Sequence, residues 1–468
     1  MAAPVEWSTL VGYKPLEPSK NINDTGLKSC LEEDFLVTIE ASCPSGAEVA
    51  LTSEIKEKFP SAVTVKHQGR VFFDVCITQI YSVLQLRCVD NAYVIIGKRN
   101  GFDFSSDIDT DLSRINDLLD RTKCENDNDF LAWNKGIIAW NELFGFKPTG
   151  KEYWHECVSL LKHPSKVLNS PETTENNFVK KIKINAEEGE NKIDQNLPES
   201  IPKFRATCYR SGQNCHPFGS MDVARSFGGA INDKFGWGVS MKDFNIEVVI
   251  TVDVNQIYIG IGLTHQSLFV RNIEHFGPTT LRATICASLL QLADIKIGDV
   301  VVDPMCGGGS IPIEGAIAFK KGFHIGGDNH EKAVLRANDN FKSLSETLSK
   351  ASSSNYPKNL SGDILRWDVT KLPLRDNSID VFVTDLPFGK RSGSKPDNRV
   401  LYPKIMSSMA RVVKPCTGRA VVLTQDKTSM FKAQEKVSKL WKINRQHKYN
   451  IGGLSALVFV MTRTEMIP

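Results

Sequence analysis

Apolar and polar positions change their spacing along this chain, and the changes divide it into units. Over residues 35–96, β-branched apolar runs alternate with stretches of helical spacing. The pattern predicts strands at 35–39, 63–65, 71–75 and 91–96 and helices at 47–59 and 80–86. Glu48, Glu54, Lys56 and Lys58 fall on the wet face of the first helix. This β-α-β-β-α-β rhythm predicts a ferredoxin-like α+β unit. Looser helical spacing continues over 107–161, so 34–162 is read as a ferredoxin-like region with a helical extension. Residues 1–33 show no period and read as a flexible leader. Residues 163–200 are rich in Asn, Glu, Lys, Pro and Ser and read as a disordered insertion or linker. Patterning returns in a compact unit at 201–264, with strands at 203–210, 244–253 and 256–263 and a helix at 220–235 capped by Ser220.

Beyond residue 265, strands and helices alternate. Strands are predicted at 300–303, 322–328, 363–367, 379–384 and 419–424, with helices at 311–319, 331–344, 400–412 and 431–441 and Ser310 capping the first of these. Two strands close the chain around residues 450–453, the last at 456–461. This is the signature of a doubly wound, mostly parallel sheet with an antiparallel last strand, a Rossmann-like domain over 265–464. Such a sheet places its ligand at the carboxyl ends of the strands. Four strands here run into an acid: Asp303, Asp328, Asp368 and Asp385. A single Asp in that place serves local turns and caps; four beside the run Gly307-Gly308-Gly309 point to a convergent site. Ser310, Ile311 and Pro312 follow Gly309, so the loop departs from the dinucleotide spacing GxGxxG and suits a nucleoside without pyrophosphate. Asp328 stands where a carboxylate would hold ribose hydroxyls.

Composition narrows the class only modestly. At 468 residues the chain has length for two or three domains, and a net charge of +3 makes any nucleic-acid surface a local one. Eleven cysteines are scattered without a close CxxC pair, which favours reduced, buried thiols over a disulfide framework or a zinc site, so no metal is expected. Trp133, Trp140 and Trp154 read as buried anchors rather than stacking platforms for bases. No apolar run reaches the length of a membrane span, and the N-terminus lacks a targeting pattern. The expectation is a soluble cytoplasmic enzyme, with the nucleus left open.

Particular segments sharpen this. FRATCYRSGQN, ARSFGGAINDKF and IYIGIGLT, between residues 204 and 264, resemble a THUMP domain. Asp385-Leu386-Pro387-Phe388 resembles the D/N/S-P-P-Y/F/W signature of enzymes that methylate exocyclic base nitrogens. Together with DPMCGGG, HFGPTTLR, TDLPFGKRSGSK, LTQD and NIGGL, the chain is similar to the THUMP-domain tRNA guanine-N2 methyltransferases over nearly all of 34–464. The resemblance implies S-adenosylmethionine as cofactor and transfer RNA, methylated in its acceptor-stem region, as substrate. By the same resemblance Asp303, Cys306, Gly307 and Gly309 surround the methionine part of the cofactor. Asp328 holds the ribose, Asp368 accepts from the adenine amine, and Thr280 and Arg282 lie beneath. Asp385 and the Leu386-Pro387 backbone would accept from the guanine amine while Phe388 stacks on the ring. Lys203, Arg205, Arg210 and Arg225, and after the catalytic loop Lys390, Arg391, Lys395 and Arg399, are candidate phosphate contacts. A small zinc-binding activator subunit is a further implied partner. Gly308 stands where the family commonly has Thr or Ser, and Leu386 replaces the first Pro of the signature. Two rival readings stay open: an RNA-binding scaffold with an inactive methyltransferase fold, and a base amino-methyltransferase acting on adenine or on another nucleic acid. The RNA-holding half is expected to be a separable module, whose removal leaves a catalytic half that still binds cofactor.

Overall fold

The alternating runs of the first half pair into one sheet. The computed structural model describes residues 5–14, 36–119, 131–144, 202–211, 215–270, 273–277, 280–350, 360–389 and 394–466. The assigned insertion at 163–200, Trp154, Lys390 and Arg391 lie outside these residues. In chain order the first half holds β1 (Leu36–Ser42), α1 (Glu48–Lys58), β2 (Thr64–His67), β3 (Arg70–Cys76), α2 (Ile80–Val83) and β4 (Asn91–Asn100). Two helices follow, α3 (Ile108–Asn116) and α4 (Trp133–Phe144). The second half of the sheet comes from β5 (Lys203–Arg210), α5 (Ser220–Phe235), β6 (Gly238–Val239), β7 (Ile246–Asp253) and β8 (Gln256–Gly262). The strand order is β2-β3-β1-β4-β8-β7-β5-β6. The ferredoxin-like stretch and the THUMP-like stretch therefore join edge to edge, through the antiparallel pair β4–β8. Helix α4 lies close against this joint: a Cβ on Gly136 would stand 2.3 Å from Ile96 Cγ2. Trp133 and Trp140 are buried there as anchors.

The reading of residues 1–33 as a flexible leader fails for residues 5–14. Trp7 and Leu10 are buried with Val5 and Tyr13 against Phe72, Ile95 and Tyr258. The sheet face turned away from α1 carries these apolar side chains, and burying them is worth about 1.5–3 kcal/mol apiece, so a cover is favoured. Gly12 passes so close to β1 that a Cβ would meet the Val37 and Thr38 backbone at 2.4 Å. Four apolar residues in an irregular segment leave no periodic trace in the sequence.

The second half is built from α6 (Ala283–Leu292), β9 (Val300–Asp303), α7 (Ser310–Ala318), β10 (Phe323–Asp328), α8 (Glu331–Lys350) and β11 (Gly362–Arg366). It continues with β12 (Val381–Asp385), α9 (Lys395–Val412), β13 (Arg419–Thr424), α10 (Lys427–Lys436), β14 (Trp441–Ile451) and β15 (Leu454–Arg463). Its order is β11-β10-β9-β12-β13-β15-β14, with β15 antiparallel to both neighbours. The fold is thus the expected Rossmann-like one. Three local expectations shift. Ser220 and Ser310 open their helices, and the N-cap positions belong to Gly219 and Gly309. The helix expected at 431–441 lies at Lys427–Lys436, and Trp441 instead starts β14, its indole N–H donating to the Met406 carbonyl at 3.0 Å.

The two sheets are not separable modules. One apolar cluster runs from Val37 and Phe73 through Leu51 and Ile55 of α1 and Leu289 and Leu290 of α6 to Val381, Val421 and Val458. Polar ties bracket it. The Arg87 guanidinium donates twice to the Glu314 carboxylate, at 2.6 and 2.7 Å, with Glu314 1% exposed. Thr284 donates to Asp90 at 2.7 Å, and the Asn450 N–H donates to the Ser45 carbonyl at 2.8 Å. Deleting residues 34–264 would bare this core, so the expectation of a freestanding catalytic half is withdrawn.

Arg87→Ala should lower the unfolding free energy of the whole chain by about 3–5 kcal/mol, because it removes the two-pronged partner of a buried carboxylate. The double change Arg87→Met with Glu314→Leu should recover most of that loss. Urea titrations of the wild type, Arg87→Ala and the double variant measure it; a loss below about 1 kcal/mol for Arg87→Ala would show the pair to be incidental.

Candidate active site

Parallel pairing of β11, β10, β9 and β12 brings their carboxyl ends to one edge, in that order. Asp368, Asp328, Asp303 and Asp385 consequently stand in a row along it, one just beyond β11 and the others as last residues of their strands. The loop after β9 is folded against this row. Gly307 and Gly309 have φ of +53° and +85°, a region that Cβ-bearing residues rarely occupy. The Gly307 N–H donates to one Asp328 carboxylate oxygen at 3.0 Å and the His330 N–H to the other at 2.9 Å. Gly309 lies against Ala337 of α8, where a Cβ would stand 3.1 Å from the alanine methyl.

Two side chains that the sequence reading did not single out fasten the loop. Trp367 crosses Gly327 so closely that a Cβ there would meet its ring at 2.0 Å, and its indole N–H donates to the Pro304 carbonyl at 3.0 Å. Asn340, buried on α8, donates to the Gly308 carbonyl at 3.0 Å and the His275 carbonyl at 3.1 Å, and accepts from the His275 N–H at 2.8 Å. The Gly326-Gly327 pair inside a strand was the available signal for a close approach. An Asn in a long amphipathic helix gave none.

The acids differ sharply in environment. Asp303 is 3% exposed; burial pushes its carboxyl well above the usual carboxylate range, and the Asp385 and Asp328 charges add to the push. The Thr384 hydroxyl, donating at 2.7 Å, only partly offsets this. Burial likewise raises Asp385 to about 7, with Asp328 contributing. Asp368 is exposed and held low by the Thr370 hydroxyl and N–H, at 2.7 and 2.8 Å. Burial, with Asp303 and Asp328 behind it, drives the Cys306 thiol well up, so it is a packing sulfur and not a nucleophile. A row of carboxyls with a buried member at its centre, beside a loop stripped of Cβ atoms, fits a ligand that carries a positive charge and approaches main chain closely. These features accommodate the implied cofactor. Among the described residues no three His, Cys, Asp or Glu converge as a metal site.

The segment after β12 is tied from both sides. The Leu386 N–H donates to the Leu423 carbonyl at 2.9 Å. The Pro387 carbonyl accepts from the Tyr402 hydroxyl at 2.6 Å and from the Asn398 side-chain amide at 3.0 Å. Phe388 is half-buried, and Gly389 turns the chain with φ of +70°. Lys395 and Arg399 project exposed from the first turns of α9, which Ser394 caps.

Other expected residues sit less centrally. The Thr280 hydroxyl accepts from the Gly277 N–H at 2.6 Å and closes a turn; it does not cap α6. Arg282 is exposed, its guanidinium 4.3 Å from the Phe269 ring centroid. Arg205 is already committed: it pairs with Glu247 at 2.7 Å and lies 4.0 Å over Phe244. Lys203 reaches Asp243 at 3.6 Å, Arg210 donates to the His216 carbonyl at 3.4 Å, and Arg225 is exposed on α5. The four acids are brought together; these four cations are spread over β5 and α5.

Comparison with known proteins agrees with the geometry. Residues 271–455 match the family described as RMKL-like, methyltransferase domain, and residues 181–262 match the THUMP domain. A Bos taurus protein named tRNA (guanine(6)-N(2))-methyltransferase THUMP3 is 36% identical, over 95% of this chain and 92% of its own. Another from Bos taurus, U6 snRNA (guanine-N(2))-methyltransferase THUMPD2, is 24% identical, over 83% of this chain and 79% of its own. Among solved structures, TrmN from Thermus thermophilus superposes with a TM-score of 0.62 at 21% identity, covering 91% of this chain and 99% of that one, which speaks for the fold.

The raised Asp385 pKa has a consequence for stability. Its value is 3.8 unperturbed and about 7 folded, so the folded state binds more protons between them and stability falls as pH rises from 3.8 to about 7. Asp385→Asn should therefore flatten the decline, leaving Tm near the wild-type value at pH 4 and above it at pH 8. Scanning calorimetry of the ligand-free protein reads this directly; parallel wild-type and variant curves would show that Asp385 ionises freely.

Proposed function

Because this chain belongs to the THUMP3 family of tRNA (guanine(6)-N(2))-methyltransferases, we propose that it methylates the exocyclic N2 of guanine 6 in the acceptor stem of transfer RNA. The observation that carries the reading is the placement of Asp385-Leu386-Pro387-Phe388 at the end of β12, beside the acidic row and the glycine loop. S-adenosylmethionine, when bound, supplies an activated methyl group on a positively charged sulfur. Asp303, Cys306, Gly307 and Gly309 would hold its methionine part, Asp328 its ribose and Asp368 its adenine amine, with Thr280 and Arg282 beneath. The electrostatics support this, since Asp303 and Asp385 each gain from a cation placed among them.

The guanine amine is a weak nucleophile because its lone pair is delocalised into the ring. Asp385 accepts from one N–H and orients the nitrogen. A carboxylate with a proton affinity near neutrality is also suited to take the amine proton as the new nitrogen–carbon bond forms. Pro387 already has both lone pairs engaged, so the Leu386 carbonyl is the main-chain acceptor left for the second N–H. Phe388 holds the plane of the base, a contact worth roughly 1–3 kcal/mol.

Substrate RNA would run along cations at the surface. Lys395 and Arg399 are exposed at the start of α9, with Lys390 and Arg391 just before them in sequence; Arg225 is exposed and Lys203 and Arg210 are half-buried on the eight-stranded half, and Arg205 enters only if it leaves Glu247. The free thiols among the described residues, Cys43 and Cys306 for example, support a reducing compartment, the cytoplasm. No helix of the described residues is long and apolar enough to cross a membrane. The small zinc-binding activator subunit rests on family resemblance alone; affinity purification followed by zinc analysis tests it.

Incubation with labelled cofactor and bulk transfer RNA should yield N2-methylguanosine, mapped to position 6 by digestion. Asp385→Ala should slow single-turnover transfer by about 10² to 10³ with the cofactor still bound. Label in U6 RNA but not in transfer RNA would favour the other branch, and label in adenine would overturn the base assignment.

A further inference from the structure

The catalytic tetrapeptide gets its shape from residues outside it. Tyr402 and Asn398, one turn apart on α9, are both fully buried, and both donate to the same atom, the Pro387 carbonyl oxygen, at 2.6 and 3.0 Å. A carbonyl oxygen has two lone pairs, and both are taken. The donors are themselves anchored. The Tyr402 hydroxyl lies 2.9 Å from the Thr424 hydroxyl at the end of β13. Asn398 donates also to Asp426, at 3.1 Å, and Asp426 caps α10 by accepting from the Ser429 N–H at 3.1 Å. Behind the loop, a Cβ on Gly389 would meet the Lys395 N at 2.9 Å and the Asn398 amide nitrogen at 3.1 Å, so the chain wraps Asn398 with no room to spare. Asn398 and Tyr402 thus join the tetrapeptide to two helices and the neighbouring strand.

We propose that Asn398 and Tyr402 are positioning residues for methyl transfer: by saturating the Pro387 carbonyl they fix the main chain between Asp385 and Phe388 so that the Leu386 carbonyl serves the amine. The inference rests on the reading above of the tetrapeptide as the base-amine site. Proline has no N–H and its φ is locked, so the Pro387–Phe388 peptide plane has one remaining soft rotation, and hydrogen bonds at its oxygen arrest it. Releasing that plane lets the Pro387 and Leu386 oxygens compete for the amine and lets the Phe388 ring tilt. The hydrogen bonds of both residues run to Pro387, Thr424 and Asp426, so their loss falls on the rate.

The test uses the full chain and transfer RNA. Tyr402→Phe removes one oxygen atom; Asn398→Ala removes the other donor. Each should lower the single-turnover rate at saturating RNA by about ten- to a hundredfold, the scale of a small misplacement of reacting groups. S-adenosylhomocysteine affinity by calorimetry and transfer-RNA affinity by filter binding should stay within about twofold. Tyr402→Phe, the milder change, decides the matter if Asn398→Ala does not fold. Wild-type rates in folded Tyr402→Phe overturn the proposal, as does a change expressed only in KM or in cofactor affinity. If the wild-type chain methylates no guanine amine, the functional reading itself fails, an outcome separate from these.

Discussion

Three carboxyl groups at adjacent strand ends, the middle one buried, set the terms for the catalytic half. Burial raises the carboxyls of Asp303 and Asp385, the Asp385 and Asp328 charges adding to it at Asp303 and the Asp328 charge at Asp385, so ionising them carries a cost that a cation among them relieves. This cost follows from the topology, because parallel strands deliver their last residues to a common edge and a one-residue slip would turn Asp303 to the other side of the sheet. The surroundings are built to keep the acids where they are. Thr384 holds Asp303, the Gly307 and His330 N–H groups hold Asp328, and Trp367 closes over Gly327 behind them. A site that is unfavourable when empty gains most from a ligand of the opposite charge, which is how stability is converted into affinity.

That row was legible in the sequence because Asp303 and Asp385 end apolar β-branched runs and Asp328 and Asp368 follow shorter strand-like stretches, and the order of elements fixed which end of the sheet they share. The glycine loop was legible for the same reason. What fastens the loop was not. Asn340 reaches across 65 residues to His275 and Tyr402 across 15 to Pro387, and a polar residue on an amphipathic helix looks alike whether it meets water or a carbonyl. Trp441 illustrates the converse: an apolar residue at the end of a helical period that in fact starts an edge strand, since its side chain is claimed by Met406 on α9. Residues 5–14 were misread because their order comes from the bare face of a sheet whose strands lie far along the chain.

The same limitation hid the joint between the halves. Read by periodicity, the chain looks like modules in a row. Packed, α1 and α6 share one core, and the Arg87–Glu314 pair crosses to α7, the helix that begins at the glycine loop. The surface that offers Arg210 and Arg225 is thereby tied at one offset from Asp385 through the shared core and the Arg87–Glu314 pair. An enzyme that must reach one nucleotide in a folded RNA needs such an offset, because on the proposed reading the tetrapeptide would judge an amine and a ring but not a position along a stem.

The loop around Asp385 divides the two tasks within a few residues. Up to Gly389 the main chain is locked, by Leu423 on one side and by Tyr402 and Asn398 on the other, and locked acceptors act on a transition state without first reorganising. On the outer face of α9, Lys395 and Arg399 are exposed cations, suited under the proposed reading to phosphates that approach from solvent with variable geometry. On the proposed reading, stiffness falls where the bond would be made and exposed charge where the strand would be held, opposite demands, and Gly389 turns the chain at positive φ between them.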